Sequence, residues 1–125
     1  ELRRRFLHFY GENEELIPAA VAALADGDPT AFADAANRSQ VEGVRLLGNQ
    51  IDETADLARM ALQQGALASS AFGAGFGGSV WAMVDDENVE MFLGCWARDY
   101  LARFPQHEPM ARFFQTRPGP STLSL

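Results

Sequence analysis

The chain has 125 residues, 47% hydrophobic and 22% charged, the mix of one ordinary globular domain with a single core. Its net charge of −7 argues against a nucleic-acid surface, and no apolar run reaches the eighteen or so residues that a membrane-spanning helix needs. A lone cysteine, Cys95, permits no internal disulfide, which fits a reducing cytoplasmic setting; placed among Phe92, Leu93 and Trp96, it reads as a buried thiol.

Apolar residues Leu2, Phe6, Phe9, Leu16, Ala20 and Leu24 recur at helical spacing, which predicts a helix from 2 to about 25. Pro18 removes a donor and crowds the preceding turn, so that helix is expected to kink or split there. Gly27 reads as the C-cap, and Asp28-Pro29 starts the next helix with Asp28 at the N-cap. Phe32, Ala35 and Ala36 supply its inner face. The stretch 41–51 is hard to read because Gly43 and Gly48 interrupt a helical pattern. Asp52 is expected to cap a helix running to Gln64, with Leu57, Ala61 and Leu62 inward and Gly65 as its stop.

Two β-compatible segments, 66–72 and 79–84, enclose Gly73-Ala74-Gly75-Phe76-Gly77-Gly78. Asp86 then reads as the cap of a helix reaching Phe104, which carries a broad apolar stripe and ends at Pro105. Residues 110–116 are expected to form a last strand. The order predicts an α+β fold: a small antiparallel sheet with helices packed mainly on one face.

The glycine segment is the chemical focus. Four glycines in six positions exceed what a hairpin turn needs, and such backbone can approach a ligand closely and gather N–H groups around an anion. Gly73, Gly75 and Gly78 satisfy the dinucleotide spacing, yet a strand follows where that fingerprint needs a helix. A P-loop is excluded as well, since the chain contains no lysine. Phe76 suits either a peg against a neighbouring domain or a core position. His8 and His107 have no partners at metal-ligand spacing, and Ser69 and Ser70 lack a nucleophile elbow. Arg3-Arg4-Arg5 and Glu12, Glu14 and Glu15 read as solvated helix faces.

The string 72–84, Phe-Gly-Ala-Gly-Phe-Gly-Gly-Ser-Val-Trp-Ala-Met-Val, closely resembles the third conserved motif of the GHMP small-molecule kinases, most of all the galactokinase branch. Arg5-x-x-His8-x-x-x-Glu12-Asn13, Gly27-Asp28 with Phe32, Asn37-x-Ser39, Gln50-x-x-Glu53-Thr54 and the late Tyr100 and Pro105 fall in the family's order. The resemblance implies the C-terminal, ferredoxin-like domain of a two-domain cytoplasmic kinase, and a start at Glu1 rather than methionine fits a piece of such a chain. It implies transfer of the ATP γ-phosphate to a sugar hydroxyl. ATP and Mg2+ would be held mainly by the N-terminal domain, which also carries the catalytic residues. Gly73, Ala74, Gly75, Phe76, Gly77, Gly78 and Ser79 would form this domain's wall of the phosphate cleft. A further strand would come from chain upstream of Glu1, and without its partner domain the open face could self-associate.

Two departures touch the substrate. Galactokinases tend to carry Arg-x-Thr before the first glycine, where Ser70-Ala71-Phe72 stands, and cysteine after the last, where Ser79 stands. Their Tyr-x-Val-Ser element is replaced by Leu47-Gly48-Asn49-Gln50, to which the sequence assigns no role. A non-catalytic regulatory domain that holds an anion in the same loop is the competing expectation.

Overall fold

The computed structural model describes residues 1–73 and 75–119. Among them are five α-helices, α1 (Leu2–Gly11), α2 (Ile17–Asp26), α3 (Pro29–Glu42), α4 (Asp52–Gln63) and α5 (Val89–Arg103), and two strands, β1 (Ala68–Ala71) and β2 (Val80–Met83). The strands pair antiparallel with Ala68 opposite Met83 and Ala71 opposite Val80. This is the expected α+β architecture with a small antiparallel sheet. No helix among the described residues is long and apolar enough to cross a membrane.

Helical backbone runs from Leu2 to Asp26, but a π-turn over Glu12–Leu16 separates α1 from α2. The Ile17 N–H reaches back to the Glu12 carbonyl, five residues away. That wider turn relieves the clash Pro18 would make with the carbonyl four residues before it, and leaves the proline in the first turn of α2, where its missing donor costs little. Gly27 closes α2 at φ 67°. Asp28 caps α3 as expected, its Oδ1 accepting the Thr30 and Ala31 N–H groups at 3.0 Å.

A second π-turn, Gly43–Leu47, resolves the illegible stretch and ends at Gly48 in the left-handed region. Asp52 is not the cap of α4. Ile51 occupies that position and no side chain caps the helix. Instead Thr54 Oγ1 donates to Gln50 Oε1 at 3.0 Å, tying the entering turn to the helix. At the other end Gly65, at φ 97°, lets Ala66 N–H reach the Ala61 carbonyl, the paired reversal that stops helices at glycine.

Asp86 also fails as a cap. It lies in a 3-10 turn, Asp86–Asn88, and α5 begins at Val89 behind Asn88. Its carboxylate is held instead by Gln115 at 3.3 Å and Arg117 at 2.7 Å.

The core gathers Met60 and Ala61 of α4 with Phe92, Trp96 and Tyr100 of α5 and Phe104 beyond it, and Val80 and Ala82 of β2 and Val84 just past its end pack against it from alternate positions. Trp96 Nε1 donates to the Leu57 carbonyl at 2.8 Å, fixing α5 on α4. Leu62, expected inward, is 40% exposed.

Residues 110–116 form no third strand, since the sheet has β1 and β2 only. Arg112 folds its guanidinium onto the Ala111 and Pro109 carbonyls, at 2.7 and 3.1 Å, which turns local backbone acceptors away from any ladder. The segment docks through side chains: Phe113 meets Trp96 edge-on at 5.3 Å between ring centroids and lies 6.0 Å from Tyr100.

The helical stripe of α1 and α2 faces outward. Leu2, Phe6, Phe9, Val21 and Leu24 are all exposed, and only Leu16 of the predicted set is buried. Cys95 is half-buried and lines a cleft of about 240 Å³ with Gln64, Val84 and Asn88, so it is not the sealed thiol expected from its neighbours.

Candidate functional site

Antiparallel pairing of β1 with β2 brings the two ends of the glycine bend together, and Phe72 N–H donates to the Ser79 carbonyl at 2.8 Å. Between them the backbone is left-handed at Gly73 (φ 70°), Gly75 (87°), Phe76 (61°), Gly77 (118°) and Gly78 (102°). Such a run is open to glycine and costly for anything else, which explains the glycine density. Phe76 is the sole non-glycine among the described residues with positive φ, and it is 74% exposed. It is therefore no core aromatic, and its ring projects from the bend into solvent. Ala74, also expected at this site, lies outside the described residues.

The bend rests on the turn after the second π-turn. Phe76 N–H donates to the Asn49 carbonyl at 2.5 Å. Gly75 lies so close that a Cβ there would strike the Asn49 carbonyl oxygen, and would stand 2.6 Å from its side-chain nitrogen. Asn49 is 8% exposed, and its Oδ1 receives Gln50 Nε2 at 3.4 Å. Among the described residues, the Gly77, Gly78 and Ser79 N–H groups donate to no protein acceptor. Gly78 has open space where a Cβ would be, and Ser79 is exposed. The arrangement can thus offer backbone donors to an anion without an intervening side chain.

Neighbouring serines are structural. Ser69 Oγ donates to the Trp81 carbonyl at 2.7 Å, and Ser70 Oγ to Gln40 Oε1 at 3.1 Å. The free edge of β1 is covered by α3: Asn37 bonds Leu67 and Ser69, and Gln40 Oε1 accepts Ala71 N–H at 3.0 Å. These amides and Asn49 are the site's hidden supports. Asn37 and Gln40 sit three apart, a shared helix face visible in the sequence, whereas nothing in the spacing marked Asn49.

The charged clusters do other work. Glu12 accepts Ser39 Oγ at 2.6 Å with His8 at 3.8 Å, and Glu15 pairs with Arg38 at 2.8 Å, so these carboxylates join helices rather than face solvent alone. Arg4 of the arginine run donates to the Arg45 carbonyl. The Arg59 guanidinium, and behind it Arg103, holds the Asp56 carboxyl below its ordinary range. His107 lies 3.5 Å from Glu53.

For a terminal phosphate the bend has three consecutive amides without a protein acceptor among the described residues, two of them on glycines. No guanidinium donates to the bend among the described residues, so the fit rests on backbone dipoles. Magnesium is a different matter: the described residues contain no group of three or more His, Cys, Asp or Glu side chains placed to hold a metal ion.

Residues 20–101 match the profile of the GHMP kinases C terminal family. The chain belongs to that family. The matched span contains α3, α4, the hairpin and most of α5, so the glycine bend and its Asn49 seat both lie inside it. The chain is also 36% identical over 94 residues to a galactokinase of Lactiplantibacillus plantarum, covering 73% of this chain and 24% of that protein. A galactokinase of Exiguobacterium sibiricum is 35% identical over 95 residues, 74% of this chain and 24% of the relative. One from Enterococcus faecalis is 32% identical over 102 residues, with coverages of 79% and 26%. The chain spans about a quarter of the length of these curated relatives.

Proposed function

We propose that this GHMP C-terminal domain is the C-terminal lobe of an ATP-dependent sugar kinase, galactokinase-like, in which Gly73–Ser79 walls the phosphate side of the cleft. The observation that carries the reading is the bend itself: five left-handed residues, fastened by Phe76 N–H, whose next three amides are unclaimed. Bound ATP, with its Mg2+, supplies the γ-phosphoryl group; the sugar supplies the accepting hydroxyl. Phosphoryl transfer depends mainly on positioning and on stabilising spread negative charge. The amides of Gly77, Gly78 and Ser79 contribute donors that need not reorganise. No general base or metal ligand is assigned to this chain. Those belong to an N-terminal lobe, and the exposed apolar residues of α1 and α2 are the kind of face such a lobe would cover. Separated from that lobe, the chain self-associates through the same face.

The loss of an arginine before the bend and the presence of Ser79 after it support a substrate class broader than galactose: a sugar or related polyol.

Two experiments test this. Calorimetric titration of the isolated chain with Mg–ATP is expected to give no useful affinity, because half the cleft is absent. Tight binding would favour a non-catalytic anion-sensing domain instead. In the two-lobe polypeptide, Gly77→Val is expected to lower turnover by about tenfold or more, since a branched side chain is strained at φ 118° and would press on Ile51, which shifts the amides of the bend. Unchanged kinetics would refute the role given to the bend.

A further inference from the structure

The segment 47–50 departs from the family's usual element and carries no assigned role, yet it makes the tightest approach to the glycine bend. Gly48, at φ 66°, reverses the chain after the π-turn and presents the Asn49 carbonyl to Phe76 N–H at 2.5 Å. The Asn49 side chain lies over Gly75, where a Cβ would stand 2.7 Å from its Cγ. Below it, Gln50 bonds Asn49 Oδ1, and Thr54 Oγ1 bonds Gln50 Oε1, so the turn is anchored to the first turn of α4. The bend is thus clamped at 75–76, and that clamp sets the direction of the next three amides.

We propose that Asn49 is a positioning residue for the phosphate-facing amides. Its carbonyl fixes Phe76, its side chain fills the space over Gly75, and together they hold Gly77, Gly78 and Ser79 in the orientation an oxyanion requires. The inference rests on the kinase-lobe reading and names the part of the lobe that sets nucleotide affinity. A loop held by one buried seat is preorganised, whereas a glycine-rich loop without one would lose the entropy of ordering on each binding event.

The test pairs two measurements. In the 15N-labelled chain, the Phe76 amide is expected to exchange slowly with solvent, while Gly77 and Gly78 exchange fast. Asn49→Ala, which keeps the carbonyl but empties the space over Gly75, and Gly75→Ala, whose Cβ strikes that carbonyl, are both expected to speed Phe76 exchange about tenfold or more. Gly65→Ala serves as control. It imposes comparable strain at φ 97° with nothing within 4 Å of the added Cβ, and leaves Phe76 exchange unchanged.

In the two-lobe kinase, Asn49→Ala is expected to raise KM for Mg–ATP about fivefold while the sugar KM holds, and Gly65→Ala to change neither. A merely structural asparagine would lower stability and the yield of active enzyme without moving KM for nucleotide; that pattern, or unchanged Phe76 exchange in Asn49→Ala, overturns the proposal. A wild-type kinase that transfers no phosphate overturns the parent reading instead, and is recognised because the Phe76 amide remains protected.

Discussion

Asn37 treats Ser69 as a neighbouring strand would: its Oδ1 accepts the Ser69 N–H at 3.1 Å while its Nδ2 donates to the Leu67 carbonyl at 2.9 Å. Gln40, three residues on, takes the Ala71 N–H. Three helical residues rise about 4.5 Å and two strand residues about 6.6 Å, and the longer glutamine side chain spans the difference. A helix face thereby finishes a two-stranded sheet whose outer edge would otherwise be an open template for another chain.

Removing that amide has a calculable consequence. Asn37→Ala strands the Ser69 N–H, in a residue only 1% exposed, and should cost about 1–3 kcal/mol. Urea unfolding is the measurement, with a lower midpoint and an unchanged slope expected. Asn37→Asp keeps the acceptor and should recover part of the loss. A midpoint unmoved in Asn37→Ala would show that water replaces the amide at the edge.

Two aspartates that look alike in sequence should behave differently. Asp28 accepts two N–H bonds at the start of α3, so Asp28→Ala should lose about 1 kcal/mol. Asp52 makes no capping bond, and Asp52→Ala should lose no more than a few tenths from its favourable place in the first turn of α4. Thermal unfolding of the two variants side by side decides it, and equal losses would refute the distinction.

Tyr100 gives a pH prediction with a definite sign. Burial, with the Glu53 charge adding to it, pushes its phenol above the ordinary value of 10.0. The folded state therefore disfavours phenolate more than the unfolded state does. The stability from this group is present in full below the unfolded value, and is lost as pH rises from there through the folded one. In a Tyr10→Phe variant, absorbance at 295 nm should show the remaining phenol ionising later than free tyrosine. Titration at the ordinary value would mean that the ring is open to solvent.

Most elements were legible because their signals are local. The Asp28 cap, the Gly27 and Gly65 stops and the apolar stripe from Phe92 to Tyr100 each sit within a few residues of what they determine. The hairpin around the glycines was legible for the same reason. What failed needed information from elsewhere in the fold. Asp86 reads as a cap until Arg117 and Gln115 claim its carboxylate. Residues 110–116 have strand composition, but Phe113 is held by the rings of Trp96 and Tyr100 rather than by a neighbouring backbone. Neither π-turn has a compositional signature, although Pro18 explains one afterwards. The glycine bend was found in the sequence as a candidate site, whereas Asn49, its seat, was invisible: its main-chain carbonyl is one that any residue has, and its side chain meets Gly75 only once the chain has folded.

The attachment of the chain's final described stretch has its own consequence. Because 112–117, beyond the Ala111 N–H bond to the His107 carbonyl, is fastened to the rest of the fold by one phenylalanine ring and by links to Asp86, and not by a backbone ladder, it can detach as a unit while hairpin and helices keep their bonds. Release would bare Trp96 without unravelling the domain. The tail then works like a latch over the core's largest ring, and trypsin cutting after Arg112 would report how often the latch lifts.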